Sequence, residues 1–337
     1  MSRIAIIGAG AWGTGLAIVL GRKGTHGFQH EVRLWANEPE VVESIARNRI
    51  NERFLPGFLL PESIAATGDL NSALDGAEIV LSAIPSHLVR GLYQQMLPFL
   101  NESMVFVSAT KGLENGTLLR MSEIIQEVLR NRLDPRVAVI SGPTFALEVA
   151  RFEPTALVVA STDGSLAETV QGAFSGPTFR LYANSDPIGV EIGGSVKNVV
   201  AIGAGVVHGL GLGHNTMASL ITRGLAEITR LAVAMGGAAQ TLAGLAGLGD
   251  LVLTCSGDLS RNRTVGVELA LGRKLEEIVS SMKMVAEGIK TTNAVAELAK
   301  RHSVEMPICE QMLQMLQFGV SPREAMQRLM DRSLKVE

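Results

Sequence analysis

Cysteine is nearly absent from this chain: Cys255 and Cys309 are the two in 337 residues, and they form no metal-type spacing. One pair cannot build a disulfide framework, so a reducing cytoplasm is the expected compartment. Neither sign of charge dominates, with 30 Lys and Arg against 33 Asp and Glu and a net charge of −3. That balance excludes a non-specific nucleic-acid binder, which needs a basic excess. Disorder is excluded too, because 47% of residues are hydrophobic and 19% are charged. An unbroken apolar run of roughly 20 residues is missing as well. The apolar stretch 231–253 contains Gln240, Asp250 and five glycines, so it reads as a buried segment, and no stable membrane insertion is expected. Near the N-terminus, Arg3 and the apolar residues after it imitate a secretory leader. Gly8, Gly10, Gly13 and Gly15 interrupt that run with turn-forming spacing, and no clear cleavage site follows.

Glycine, by contrast, is abundant: 36 of 337 residues, about 11%, against a usual 7% or so. The glycines show no G-x-y period, so collagen is excluded, and they must serve turns, close packing or ligand approach. At roughly 100–200 residues per domain the length suggests about two domains. Residues 1–186 alternate short Val/Ile-rich runs, at 3–7, 32–36, 78–84, 105–109, 137–141 and 157–161, with amphipathic stretches at 12–23, 41–48, 88–100, 118–130 and 166–174. Near-continuous apolar runs mark strands buried on both faces. Their alternation with helices predicts an α/β domain with a doubly wound, Rossmann-type parallel sheet. From 187 to 337 the β-type runs give way to Ala/Leu/Gly/Met segments with helical spacing, at 215–235, 264–271, 289–302 and 307–318. This predicts an all-helical substrate and catalytic domain. With no long polar linker between the halves, a ligand cleft at the junction is expected.

The stretch Ile4-Ala5-Ile6-Ile7-Gly8-Ala9-Gly10-Ala11-Trp12-Gly13 runs a strand into G-x-G-x-x-G and on into a helix. Gly8 permits the tight turn, Gly10 lets a pyrophosphate approach the backbone, and Gly13 lets helix and strand pack closely. The helix start offers free N–H groups and partial positive charge to the phosphates. The motif alone is weak; in this strand–turn–helix context it indicates dinucleotide binding. Ribose selectivity belongs to the end of the second strand, where Arg33, Asn37 and Glu38 send mixed signals. The polar loop 24–30 moves the acid beyond its usual spacing. The choice between NAD and NADP stays open.

Four further segments place polar groups in apolar or glycine-rich surroundings. Lys111, in Ser108-Ala109-Thr110-Lys111-Gly112 at a strand end, reads as a phosphate or cofactor contact, with a plain surface lysine as the alternative. Ser141-Gly142-Pro143-Thr144-Phe145-Ala146 leads from a strand into a helix, with Pro143 suited to its first turn. Its free N–H groups suit substrate or cofactor, unless it is an ordinary turn. Lys197, in Gly193-Gly194-Ser195-Val196-Lys197-Asn198, sits in an apolar run; burial would lower its pKa and equip it for proton transfer. A snorkelling lysine is the bland alternative. Asp250, in Gly247-Leu248-Gly249-Asp250, is a charge in an apolar stretch and an attractive partner for Lys197. Ser260 and Asn262 suit a helix cap, and beside Arg261 and Arg263 they make an anion site. His208 and His214 lack further ligands at metal spacing, so no metal is expected. Cys255 reads as a small buried residue.

Assembled, these residues resemble the soluble, NAD(P)-dependent bacterial glycerol-3-phosphate dehydrogenases. The likeness runs from Gly8-Ala9-Gly10-Ala11-Trp12-Gly13 to Leu329-Met330-Asp331-Arg332, and is strongest at Ser141-Gly142-Pro143, Glu191-Ile192-Gly193-Gly194-Ser195-Val196-Lys197-Asn198, Gly247-Leu248-Gly249-Asp250 and Ser260-Arg261-Asn262. The resemblance implies reduction of dihydroxyacetone phosphate to sn-glycerol 3-phosphate with NAD(P)H, feeding phospholipid synthesis. It implies that Lys197 is the general acid/base, with Asp250 orienting it or a substrate hydroxyl. It also implies substrate contacts at Lys111, Gly142, Thr144, Asp250, Ser260, Arg261 and Asn262. Positions near the cofactor would be Gly8, Gly10, Ala11, Trp12, Gly13, Asn37, Lys111, Ala146, Arg261, Val285 and Glu287. Ala11 stands where many relatives carry serine, and Asn37 where a basic residue or histidine is frequent, so a strong NADP preference is not implied. A homodimer is expected from the apolar helical half. Two rival readings are a two-domain β-hydroxy-acid dehydrogenase and a catalytically silent dinucleotide sensor.

Overall fold

The computed structural model describes residues 2–22, 29–282, 284 and 286–334. The loop 24–30 falls largely outside them, as does Val285. The chain divides into two compact units. The first is Met1–Thr110 with Met121–Pro187, and the second is Lys111–Arg120 with Ile188–Glu337.

Among the described residues, ten strands form in the first unit: β1 (Arg3–Ile7), β2 (Glu31–Trp35), β3 (Ile50–Asn51), β4 (Leu55–Leu59), β5 (Ile64–Thr67), β6 (Ile79–Ser82), β7 (Val105–Ser108), β8 (Arg136–Ser141), β9 (Thr155–Ala160) and β10 (Phe179–Asn184). Eight make one sheet in the order β10-β9-β8-β7-β6-β1-β2-β5, while β3 and β4 pair separately. The order reverses beside β1: β2 lies on one side and β6 on the other. Open α/β sheets bind ligands outside the strand ends at such a switch point. Isoleucines 4, 6 and 7 of β1 and all of β6 are buried, consistent with strands covered on both faces. The sheet departs from the all-parallel expectation at one place, since β8 and β9 pair antiparallel through Val139–Ala160 and Ile140–Val159. A strand buried on both faces carries no directional signal in its sequence, so the pattern at 157–161 could not reveal this. The strands β5 and β10 and the β3/β4 hairpin went unread because they are short or half exposed.

In the second unit the helix Pro187–Gly209 is buried from Gly189 to Val207. It is long and apolar enough to cross a membrane, but its apolar window is wholly buried in protein, as in a core helix. The remaining helices are His214–Ala234, Ala239–Leu242, Asp250–Ser256, Arg261–Ala270, Leu275–Ser281, Glu287–Arg301, Pro307–Phe318 and Pro322–Met330. The stretch 231–253 is thus divided among three helices and a π-helical turn, Leu245–Gly249, rather than forming one span. Backbone approaches the central helix closely. A Cβ on Gly193 would lie 2.6 Å from Ala246 O, one on Gly266 1.9 Å from Ile202 O, and one on Gly205 1.9 Å from Arg263 O. A buried carboxylate also serves packing here: Glu227 accepts from Ile308 N at 2.8 Å and Cys309 N at 3.2 Å, capping Pro307–Phe318. Burial pushes the Glu227 carboxyl up to about 7, opposed by those two bonds.

Residues Lys111–Arg120, which the composition change assigns to the first domain, pack with the helices instead. Leu113 and Leu118 enter the helical core, and Arg120 meets Glu191 there.

The close helix contact makes a direct prediction. Gly266→Ala forces the Arg261–Ala270 and Pro187–Gly209 helices apart and should cost roughly 2–3 kcal/mol, seen as a lowered melting temperature. Gly172→Ala, on the open side of the helix Gly164–Phe174, should instead stabilise by about 0.5–1 kcal/mol. Equal effects of the two substitutions would show that the contact is not a packing constraint.

Candidate active site

The first unit supplies a glycine turn open to a ligand. Gly8, directly after β1, has φ +116°, and a Cβ there would lie 2.6 Å from Ala83 O. The helix Ala11–Leu20 begins with Gly10 as its cap, and no side chain caps its first N–H groups. A Cβ on Gly10 would meet nothing within 4 Å, whereas one on Gly13 would lie 1.8 Å from Gly8 O. Gly10 thus faces open space beside uncapped donors, while Gly13 holds the helix against the turn. This fits the pyrophosphate of a dinucleotide. The turn is held from outside the motif: Asn51 Nδ2 donates to Ala9 O at 2.7 Å and to Thr14 Oγ1 at 2.8 Å, and Trp12 Nε1 donates to Ala109 O at 3.2 Å. Asn51, fully buried on β3, was missed because an asparagine among polar neighbours carries no motif.

At the end of β2, Asn37 is exposed. Glu38 is the cap residue of the helix Pro39–Asn48, and Arg33 pairs with Glu31 at 3.5 Å and Asp75 at 3.8 Å. Arg33 is thus engaged by carboxylates, whereas the Glu38 side chain makes no capping bond to its helix. Gly142 has φ +146°, and Thr144 Oγ1 donates to Gly142 O at 3.2 Å. Ala146 opens the helix Ala146–Ala150, and a Cβ on Gly15 would lie 3.2 Å from Ala146 O. Phe145 caps that helix, so Pro143 precedes it instead of occupying its first turn as expected.

In the second unit the expected Lys197–Asp250 pair forms, and Lys111 joins it. Asp250 is fully buried and Lys197 is 4% exposed. Lys197 Nζ donates to Asp250 Oδ1 and, at 2.7 Å, to Thr254 Oγ1, which itself donates to Asp250 O at 2.6 Å. Lys111 Nζ donates to Asp250 Oδ2 at 2.6 Å. Burial lowers the Lys197 pKa to about 7; the Asp250 carboxylate opposes that shift and the Lys111 charge adds to it. Thr254, one helical turn beyond Asp250, was not picked out because a lone threonine in an apolar helix usually bonds only its own backbone. Cys255 is buried, and burial pushes its thiol up to about 12, leaving it neutral.

The anion site expected at 260–263 is partly altered. Ser260 caps the helix Arg261–Ala270, its Oγ accepting from Arg263 N at 3.3 Å. Asn262 Nδ2 donates to Asn198 Oδ1 at 3.0 Å, and Asn262 Oδ1 accepts from Gly288 N at 2.9 Å. Asn262 thereby ties this helix to the residue after Lys197 and to the start of Glu287–Arg301. Arg261 is exposed at the surface; partial desolvation of its guanidinium lowers its pKa, opposed by the Glu287 carboxylate. Arg263 turns to Asp258 at 2.9 Å. Two residues along a helix face nearly opposite ways, so the two arginines do not form one fork.

An uncapped glycine turn at a sheet switch point, in a chain whose helical unit buries a lysine with a lowered pKa, fits the class of nicotinamide-dependent dehydrogenases. Models of the NAD-dependent glycerol-3-phosphate dehydrogenase N-terminus and C-terminus match residues 3–167 and 186–327, so the chain belongs to that family. It is 60% identical to the glycerol-3-phosphate dehydrogenase [NAD(P)+] of Koribacter versatilis over 100% of this chain and 99% of the relative. To that of Citrifermentans bemidjiense it is 54% identical over 99% of this chain and 98% of the relative. The crystal structure of the Coxiella burnetii glycerol-3-phosphate dehydrogenase superposes with a TM-score of 0.92 at 40% identity, covering 98% of this chain and 99% of that one.

The lowered lysine pKa has a consequence for stability. Between about 7 and the ordinary 10.5 the unfolded chain holds a proton on Lys197 that the folded chain has released, so this residue makes stability rise with pH across that window. Lys197→Met leaves Asp250 paired with Lys111 and should fold. Urea titrations from pH 6.5 to 10 should show a flatter dependence than wild type; an unchanged slope would count against a buried, tuned ammonium.

Proposed function

We propose that this chain interconverts dihydroxyacetone phosphate and sn-glycerol 3-phosphate, with Lys197 as its proton-transfer residue. The observation that carries the reading is the buried Lys197 ammonium, held by Asp250 and Thr254 with a pKa of about 7. The cofactor, NAD(P)H, supplies the hydride for the substrate's C2 carbonyl when bound. Gly8, Gly10, Ala11, Trp12 and Gly13 would hold its pyrophosphate, with Asn37 and Ala146 of the same unit as further contacts. Asn37 is a neutral amide with no built-in preference at a 2′-phosphate, which supports use of either cofactor.

Lys197 donates a hydrogen bond to the carbonyl oxygen and gives up its proton as the alkoxide develops. A pKa near the working pH keeps both protonation states accessible, so the same amine accepts the proton in the reverse reaction. Asp250 fixes the direction of the ammonium, and Thr254 occupies another of its donors. Arg261 and the Ser260-capped helix start hold the substrate phosphate, with Asn262 and Lys111 of the same unit placing the remaining oxygens. Binding at the non-reacting phosphate thus orients the carbonyl. The product carries the three-carbon backbone of phospholipids, and in this reading the enzyme feeds their synthesis. Two buried free cysteines are consistent with the reducing cytoplasm. Exposed apolar side chains on the helical unit, Leu271 and Phe318 among them, support a homodimer, which light scattering after gel filtration tests directly.

Lys197→Ala should lower kcat by about 10²–10⁴-fold while NADH affinity, measured by fluorescence quenching, stays near wild type. Unchanged turnover would remove Lys197 from the chemistry. Arg261→Ala should chiefly raise KM for dihydroxyacetone phosphate. The same loss towards unphosphorylated dihydroxyacetone would contradict a phosphate contact.

A further inference from the structure

The segment Lys111–Arg120 leaves the first unit after Thr110, packs with the helices, and rejoins the first unit at Met121. It folds on itself: Leu113 and Arg120 form an antiparallel bridge, and Glu114 N donates to Leu119 O at 3.0 Å. Leu113 and Leu118 are buried in the helical core, Leu118 at φ +66°, a conformation unfavourable for leucine that only firm anchoring sustains. At one end Lys111 Nζ reaches Asp250 at 2.6 Å. At the other, Arg120 Nη1 donates to Glu191 Oε2 at 2.6 Å, both residues being buried. Between them Ser195 Oγ donates to Gly112 O at 3.1 Å. Glu191 and Ser195 both lie on Pro187–Gly209, the helix that carries Lys197.

Apolar side chains can fill a buried site as stably as an ion pair, so stability alone does not explain one here; what a hydrogen-bonded pair adds is a unique register. We propose that Arg120 and Glu191 are positioning residues that lock the 111–120 hairpin onto the Lys197 helix, so that Lys111 meets Asp250. The proposal rests on the reading of Lys197 as the proton-transfer group. Among the described residues, the groups facing Lys197 are Asp250 and the neutral Cys255 from Asp250–Ser256 and Lys111 from the hairpin, with Arg263 beyond Cys255 and Glu191 further along its own helix. Of these, Lys111 adds positive charge beside the ammonium. Releasing the hairpin withdraws that charge, strengthens the hold of Asp250 on the Lys197 proton, and moves the pH dependence of catalysis upwards.

The test uses the full-length enzyme with NADH and dihydroxyacetone phosphate, following kcat against pH. The double variant Arg120→Met with Glu191→Leu removes both buried charges together, so net charge is unchanged and neither charge is left facing an apolar replacement of the other. Its alkaline limb should move to higher pH by about one unit, a tenfold change in proton affinity, while thermal melting shows a folded protein. Lys111→Gln should move the limb in the same direction, and combining it with the double variant should add no further shift. Arg120→Lys, which keeps a cation, should leave the limb near its wild-type position. Should the double variant fail to fold, Glu191→Gln carries the same expectation with a smaller shift. A lower kcat with an unmoved limb, alongside a moved limb in Lys111→Gln, overturns the positioning role alone. An unmoved limb in Lys111→Gln as well overturns the role of the Lys111–Asp250–Lys197 cluster itself.

Discussion

The ammonium of Lys197 is buried, and the side chains around it in the helical unit balance the cost of that burial. Taking an isolated ammonium out of water is costly enough that the group would simply lose its proton. Asp250 works against that loss by favouring the charged form. The structure places a second cation, Lys111, on the other oxygen of the same carboxylate, so that one negative charge is shared between two lysines. Burial and Lys111 push in one direction and Asp250 in the other, and the outcome is an amine near neutrality. Thr254 closes the arrangement by accepting from the ammonium while returning its own proton to the backbone of Asp250.

That balance depends on backbone contacts remote from any charge. The π-helical turn Leu245–Gly249 immediately precedes Asp250, and it approaches the Lys197 helix where Gly193 has no side chain. A methyl at Gly193 would displace Ala246, and with it the start of the helix that presents Asp250. On another side Gly288, whose Cβ would lie 2.5 Å from Asn198 O, brings the start of Glu287–Arg301 against the residue following Lys197. The glycine excess is therefore part of the electrostatics, since it sets how closely carbonyls and charged side chains can be arranged around one helix.

Much of this was legible in the sequence because it is local. The turn Gly8 to Gly13, the strands β1, β6, β7 and β8, and the helix Pro307–Phe318 announce themselves by spacing and periodicity within a few residues. The Lys197–Asp250 pair was legible by scarcity, as two charges in apolar surroundings with no nearby partner. What escaped was non-local or directionless. The antiparallel step between β8 and β9 has no signature in a fully apolar strand. Asn51 and Thr254 act through contacts set by tertiary packing. The helix Pro187–Gly209 was masked by its glycines, residues that lower helix propensity but are required by the neighbours packed against it. Arg263 was assigned to an anion site from its closeness in sequence to Arg261, and helix geometry turned it to Asp258.

The path of the chain through Lys111–Arg120 makes the two units inseparable as genetic modules. Expression of residues 188–337 alone would yield a helical fragment without Lys111, without the two leucines that complete its core, and without the guanidinium that Glu191 meets. The complementary piece would carry Leu113 and Leu118 without the core that buries them. Exchange of cofactor-binding halves between related dehydrogenases would meet the same obstacle unless this ten-residue segment travelled with the helices, so in this architecture a boundary drawn by sequence order is not a boundary of function.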